Sequence, residues 1–233
     1  VTLQDPMLTL ISSSDVPFTN IKGIGVLAGR IGGKNDKVKG NISDVAVTVS
    51  AARAAEDKDT VNVDLSVSGG KAGVGGIVGV LAAKAGTGST YYPLPGTVKN
   101  VVMEGSVVTR FKVSDSRFPD APQGGNTKNA VGKISATGGI AGLAVLNNHN
   151  DSATSGKLDG CVNHASVSSN LTAGGIAGFT EGSFISQSVS GTDGESFYTK
   201  VSDLLNCSND GLILSTVNAS ASTLEGHYFG GIV

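Results

Sequence analysis

Gly138-Gly139-Ile140-Ala141-Gly142 decides how this chain is read, because the phrase recurs at Gly75-Gly76-Ile77-Val78-Gly79 and at Gly174-Gly175-Ile176-Ala177-Gly178. Its opening returns at Gly230-Gly231-Ile232-Val233. A looser copy is Gly25-Val26-Leu27-Ala28-Gly29, with Val26 aligned as the aliphatic after the glycine. The copies are unequally spaced, so the chain is a repeated unit with insertions. The recurring positions are Gly76, Ile77 and Gly79, then Gly139, Ile140 and Gly142, then Gly175, Ile176 and Gly178.

Between these copies lies a second phrase. Leu158-Asp159-Gly160-Cys161-Val162-Asn163-His164-Ala165-Ser166-Val167 overlays Leu204-Leu205-Asn206-Cys207-Ser208-Asn209-Asp210-Gly211-Leu212-Ile213. Val98 to Val107 fits the same frame with valine in place of cysteine, and Ile42-Ser43-Asp44-Val45 with Val47 and Val49 is a weaker match. Cys161 and Cys207 therefore hold equivalent places.

Short β-branched runs bounded by Gly, Asn, Asp and Ser read as strands and turns. Helical periodicity is confined to Ala51–Ala55 and Val78–Ala85. Short strands that cannot bury their own apolar faces call for stacking, and the expected architecture is all-β, a right-handed parallel β-helix (β-solenoid) with loop insertions near 86–96, 111–130 and 191–200. At roughly 20–25 residues per coil the chain would make about ten coils, a rod on the order of 45–50 Å. Residues 1–20 are expected to be an N-terminal lead-in or cap, and 21–233 the repeats, continuing or capped beyond 233.

Composition removes several function classes. Glycine supplies 34 of 233 residues, about twice its usual share of roughly 7%. There are 17 basic and 19 acidic residues, a net charge of −2 and no tryptophan. A nucleic-acid binder should carry a basic stripe, so no nucleic-acid partner is expected. No apolar run approaches the ~18 residues of a membrane span, so this segment is not expected to insert. Position 1 does not open a signal peptide and reads as a processing boundary.

The phrase Gly-Gly-Ile-Val/Ala-Gly followed by Asn-Cys-x-Asn-x-Gly-x-Ile resembles the GLUG-type repeat of bacterial cell-surface proteins. Residues 204–213 and 158–167 carry its second half, and 75–79, 138–142, 174–178 and 230–233 its first. The resemblance implies a right-handed β-helix on an exported protein, typical of gut Bacteroidetes and some Gram-positive bacteria, acting in surface display or adhesion. Such repeats also accompany immunoglobulin-cleaving metalloproteases, which need a His-Glu-x-x-His zinc motif. His149, His164 and His227 lack that spacing, so the protease activity does not carry over.

Each candidate site has a plainer structural reading. Gly23-Ile24-Gly25 with Gly29 and Gly73-Val74-Gly75 with Gly79 could suggest a phosphate loop, but glycines that recur with every unit read as structural. Cys161 and Cys207 would be separated with a coil between them; in adjacent coils they would stack as thiols or form a strained disulfide, buried free thiols being the expected state. No zinc site, other metal or cofactor is expected. His164, replaced by Asp210 in the next copy, reads as an exposed turn residue, and His149 lies in the polar run Asn147–Asp151.

The carboxylates Glu56, Asp57 and Asp59 beside Lys58, and Asp115 and Asp120 beside Arg117, are the candidates for a polysaccharide lyase or hydrolase. Both groups read as solvated insertions, so no catalytic residue is assigned. The asparagines at 41, 150, 170, 206 and 218 lie in sequons that a chain rich in Asn, Ser and Thr produces by chance, and Thr does not recur in the register an ice-binding face needs.

The aromatics fall mostly in the insertions: Tyr91 and Tyr92 before Pro93, Phe111 and Phe118, and Phe197 with Tyr198. Loops on a rigid scaffold are favoured places for recognition, and rings stack on sugars or anchor proteins. Tyr91, Tyr92, Phe118, Phe197 and Tyr198 are the candidate ligand-binding residues. The expected function is a non-enzymatic cell-surface or secreted repeat module for adhesion to a host glycan or protein, outer-membrane-anchored through its parent protein. The alternatives are a polysaccharide lyase or glycoside hydrolase on the same scaffold, and a purely structural stalk.

Overall fold

Val61, Val63 and Leu65 are buried while the intervening Asn62 and Asp64 are half-buried, the period-two alternation of a strand with one face in the core. The computed structural model describes residues 1–11, 22–31, 40–67, 72–81, 96–113, 135–145, 157–181, 204–216 and 229–233. Among these the chain is all-β, with one short helix, and every strand pairing is parallel.

The first circuit comprises β1 (Thr2–Gln4), β2 (Leu8–Ile11), β3 (Lys22–Gly25) and β4 (Ala28–Ile31). The second comprises β5 (Asn41–Thr48), β6 (Val61–Val67), β7 (Ala72–Gly75) and β8 (Val78–Leu81), with helix α1 (Ala51–Ala54) between β5 and β6. The third is β9 (Thr97–Met103), β10 (Ser106–Val113), β11 (Ala136–Gly138) and β12 (Ala141–Val145). The fourth opens with β13 (Lys157–Asp159) and β14 (Val162–Asn163), then β15 (Ser166–Ser169), β16 (Thr172–Gly174) and β17 (Ala177–Glu181). The fifth holds β18 (Leu204–Leu205), β19 (Ser208–Asn209), β20 (Ile213–Ser215) and β21 (Phe229–Gly230).

Four sheets result. The first runs β1-β5-β9-β13-β18, with β14 and β19 continuing it. The second is β2-β6-β10-β15-β20, the third β3-β7-β11-β16-β21 and the fourth β4-β8-β12-β17. The chain visits them in rotation and returns to the first one place further along. Both sequence phrases therefore belong to one circuit, and the described residues make five circuits rather than about ten. Four steps at about 4.8 Å give a stack of roughly 20 Å, not 45–50 Å. The expected coil length was too short because one circuit visits four sheets and carries long connections between them.

The registers bear out the overlays. Leu158 pairs with Leu204, Asn163 with Asn209 and Val167 with Ile213, while Val98 pairs with both Leu158 and Ile42. One alignment shifts by a residue: Ala28 pairs with Val78 and Leu27 N donates to Ile77 O at 3.1 Å, so Leu27 rather than Val26 is the counterpart of Ile77. The helix expected over Ala51–Ala55 forms, capped by the Ser50 side chain accepting from Arg53 N. That expected over Val78–Ala85 does not: Val78–Leu81 is strand β8, where parallel neighbours on both sides outweigh local periodicity.

The second phrase derives its spacing from one backbone feature. Asp44, Asn100, Gly160 and Asn206 occupy the same register place and all have positive φ, between 51° and 63°. A left-handed residue shifts the in–out alternation by one, so Val98 and Val101, then Leu158 and Cys161, all point inward although they are three apart. Asn, Asp and Gly are the residues that tolerate this conformation.

The first phrase is a two-residue corner between the third and fourth sheets: Gly76-Ile77, Gly139-Ile140 and Gly175-Ile176. The isoleucines are fully buried, and their backbones form a ladder, Ile77 N to Ile140 O at 3.1 Å, Ile140 N to Ile176 O at 3.0 Å and Ile176 N to Ile232 O at 2.9 Å. Glycine is required before them. A Cβ on Gly139 would collide with Gly175 O and the Asn163 side chain, and one on Gly76 with Gly139 O and Met103. The glycine corner of one circuit is thus filled by the second phrase of the next.

Candidate functional site

The connections between strands are distributed unevenly. Third-to-fourth-sheet corners are two residues long in the first four circuits, and first-to-second corners are short except for the stretch bearing α1. Apart from 49–60, which bears α1, the long connections leave from two corners: 12–21, 114–135 and 216–228 from second to third sheet, and 32–40, 82–96, 146–156 and 182–203 from fourth back to first. Tyr91, Tyr92, Phe197 and Tyr198 belong to fourth-to-first connections, and Phe118 to a second-to-third one. All five lie outside the described residues, as do Asp115, Arg117, Asp120, His149 and His227 and most of the expected insertions 86–96, 111–130 and 191–200.

Phe111 is corrected: it lies in β10 and is only 3% exposed, since the period of β10 turns it into the core. Asn170 clamps its backbone, Nδ2 donating to Phe111 O and Oδ1 accepting from Phe111 N, both at 2.8 Å.

The glycine phrases supply no phosphate cradle. Gly76, Gly139 and Gly175 donate their N–H groups to Gly139 O, Gly174 O and Gly230 O at 3.1–3.2 Å, so these groups are spent on the stack. The carboxylates near α1 are engaged locally. Glu56 bonds Arg53 at 3.1 Å and Lys58 at 2.9 Å, contacts that hold its carboxyl below the ordinary range, Lys58 foremost. Asp59 accepts from Ser106 Oγ at 2.9 Å and from Asn62 Nδ2 at 3.1 Å. Among the described residues no group of three His, Cys, Asp or Glu is arranged to hold a metal ion.

His164 is exposed, as its exchange with Asp210 suggests, and the two meet across adjacent circuits, His164 Nδ1 to Asp210 Oδ1 at 2.6 Å. Asn163 was legible only as part of a polar turn. It is wholly buried, donating to Ala165 O at 2.9 Å and to Asn209 Oδ1 at 2.7 Å. Its recurrence as Asn209 was the available signal.

Cys161 and Cys207 sit in adjacent circuits as free thiols, Cys161 buried and Cys207 half-buried. They fill the interior place that Val45 and Val101 hold earlier in the stack. The thiol sulfurs bond backbone carbonyls, Cys161 to Val98 O at 3.5 Å and Cys207 to Leu205 O at 3.2 Å; the neighbouring thiol and then burial push Cys161 up, while the neighbouring Cys161 brings Cys207 down to about 7. At the end of the stack Asn209, Leu212, Ile213 and Phe229 line an open hollow. No helix among the described residues is long and apolar enough to cross a membrane. The chain matches no protein-family model, no curated protein and no solved structure.

Proposed function

We propose that this chain is a non-enzymatic surface or secreted module, a right-handed parallel β-helix that holds out its inserted connections to bind a glycan or protein ligand. The observation that carries the reading is the concentration of long connections, that bearing α1 apart, at two of four corners, so that circuits offer their variable segments from the same edges. A rigid stack with variation at its edges is what a display scaffold requires. Right-handedness is what parallel strands joined by crossovers adopt in about 98% of cases. The aromatics Tyr91, Tyr92, Phe118, Phe197 and Tyr198 supply contact area for a sugar face or protein surface. The resemblance to GLUG-type repeats supports a reading in which the parent protein lies on a bacterial cell surface, with a host glycan or protein as partner and no cofactor.

A glycan-array screen with and without calcium, followed by a check for product release, tests this. Binding without turnover that weakens at least roughly tenfold on alanine replacement of Tyr91, Tyr92, Phe118 and Tyr198 supports the reading. Turnover that depends on Asp115 or Asp120 would make the chain a lyase or hydrolase. Silence in the array and in a pull-down against host proteins would leave a stalk.

A further inference from the structure

We propose that Cys161 and Cys207 are a dithiol–disulfide site that covalently closes the fifth circuit onto the fourth. The two cysteines occupy one register place, between Leu158↔Leu204 and Val162↔Ser208, and Ser208 N donates to Cys161 O at 3.0 Å. Residues paired across parallel strands lie about 4.8 Å apart, inside the 4.4–6.8 Å Cα window of a disulfide. The side chains face the same interior, Cys161 within the core and Cys207 packed against it. Cys207 Sγ reaches across to Leu158 O of the fourth circuit at 3.4 Å besides its own Leu205 O at 3.2 Å, while Cys161 Sγ lies 3.5 Å from Val98 O of the third circuit and 3.8 Å from Asp159 O.

The two thiols divide the chemistry. Cys207 is half-buried and so within reach of a small reagent, whereas Cys161 is buried. Its lowered pKa makes it the attacking thiolate. With a low-molecular-weight disulfide as oxidant, the Cys207 thiolate attacks one sulfur of the reagent, forming a mixed disulfide and expelling one reagent thiolate. Cys161 then gives up its proton and attacks Cys207 Sγ, forming the Cys161–Cys207 bond and expelling the second thiolate. The protein loses two thiol hydrogens, and the reagent disulfide is reduced to two thiols.

The consequence falls on the fifth circuit. In a stacked repeat each unit is held by its neighbours and opens when that contact is lost. A covalent tie at Cys207 removes that opening.

The test equilibrates the folded protein with reduced and oxidised glutathione at neutral pH, then combines non-reducing digestion and mass spectrometry with amide exchange. The expected result is a peptide linking Cys161 to Cys207 in a monomeric chain, absent from Cys207→Ser, with exchange across 204–216 slowed roughly tenfold or more. Retention of two titratable thiols, a mixed disulfide that never closes, or a dimer linked through Cys207 would each overturn the proposal. Cys207→Ser replaces a half-buried thiol by a similar shape, so its exchange also reports whether the reduced stack is intact.

Discussion

Asn163 hands one amide hydrogen to Asn209 Oδ1, 2.7 Å away in the next circuit, and turns the same side chain to Ala165, accepting from its N–H at 3.3 Å and donating to its carbonyl at 2.9 Å. Asn209 repeats the local part of the arrangement, its Nδ2 donating to Gly211 O at 3.0 Å. The third circuit has Met103 at this place, which fills the same space with apolar atoms. The stack thus changes from apolar to amide filling where the cysteines begin.

Replacing Asn163 by Met, the residue the earlier circuit uses, keeps volume but takes the donor from the Ala165 carbonyl and from Asn209 Oδ1, while the Ala165 amide keeps its bond to Met103 O at 3.1 Å. The expected loss is about 2–4 kcal/mol. Urea unfolding followed by circular dichroism measures it; an unchanged midpoint would mean that the asparagine ladder contributes nothing.

Gly139 and Gly231 hold the same phrase position but differ in surroundings. A Cβ on Gly139 meets Gly175 O and the Asn163 side chain, whereas one on Gly231 meets nothing within 4 Å. Gly139→Ala is expected to cost about 3 kcal/mol or more through overpacking, and Gly231→Ala less than about 0.5 kcal/mol. Paired thermal melts check the contrast, and equal losses would contradict the close approach of the circuits.

Asp44 is held below its ordinary 3.8, chiefly by the hydrogen bond from Asn100 Nδ2 and then by Ser43. A lowered carboxylate contributes stability that is complete above its unfolded pKa and lost as pH falls through the folded value. The effect is confined to pH below about 4, and full exposure keeps it small. NMR titration of the Asp44 carboxyl should show Asn100→Ala raising its pKa toward the ordinary value. Asn100→Gly should do the same while sparing the left-handed backbone, so stability falls less than with alanine.

Alkylation distinguishes the two thiols. In the folded protein Cys207 should react with iodoacetamide at a rate that rises through about pH 7, with Cys161 roughly a hundredfold slower because it reacts only on opening. Cys161→Ala removes the neighbouring thiol and should move the Cys207 inflection up toward 9.0. An inflection that stays in place would show that the neighbouring thiol does not act on Cys207.

Much of the fold was legible. The overlay of Leu158–Val167 on Leu204–Ile213 is the strand register itself, because parallel stacking places like residues beside like and a slip of one would turn every buried side chain outward. The misalignment at Val26 arose where the first copy lacks a second glycine, so nothing local marked the corner. Phe111 misled because aromatic residues near an insertion look alike whether a strand ends before or after them. The candidate site was the least legible part, since Asn163 reads as a turn residue until its partners in the neighbouring circuit are known.

Sequence by itself determined the repeat, the all-β class, the equivalence of Cys161 with Cys207 and the glycine before each buried isoleucine, because these depend on which residue types can share a parallel register and a tight corner. Only the tertiary structure decided that a circuit visits four sheets, that most long connections leave from two corners, and that Asn163 is buried rather than solvated. Those features depend on contacts between residues far apart in the chain, where a neighbouring circuit supplies the acceptor, the steric limit or the cover that no local pattern encodes.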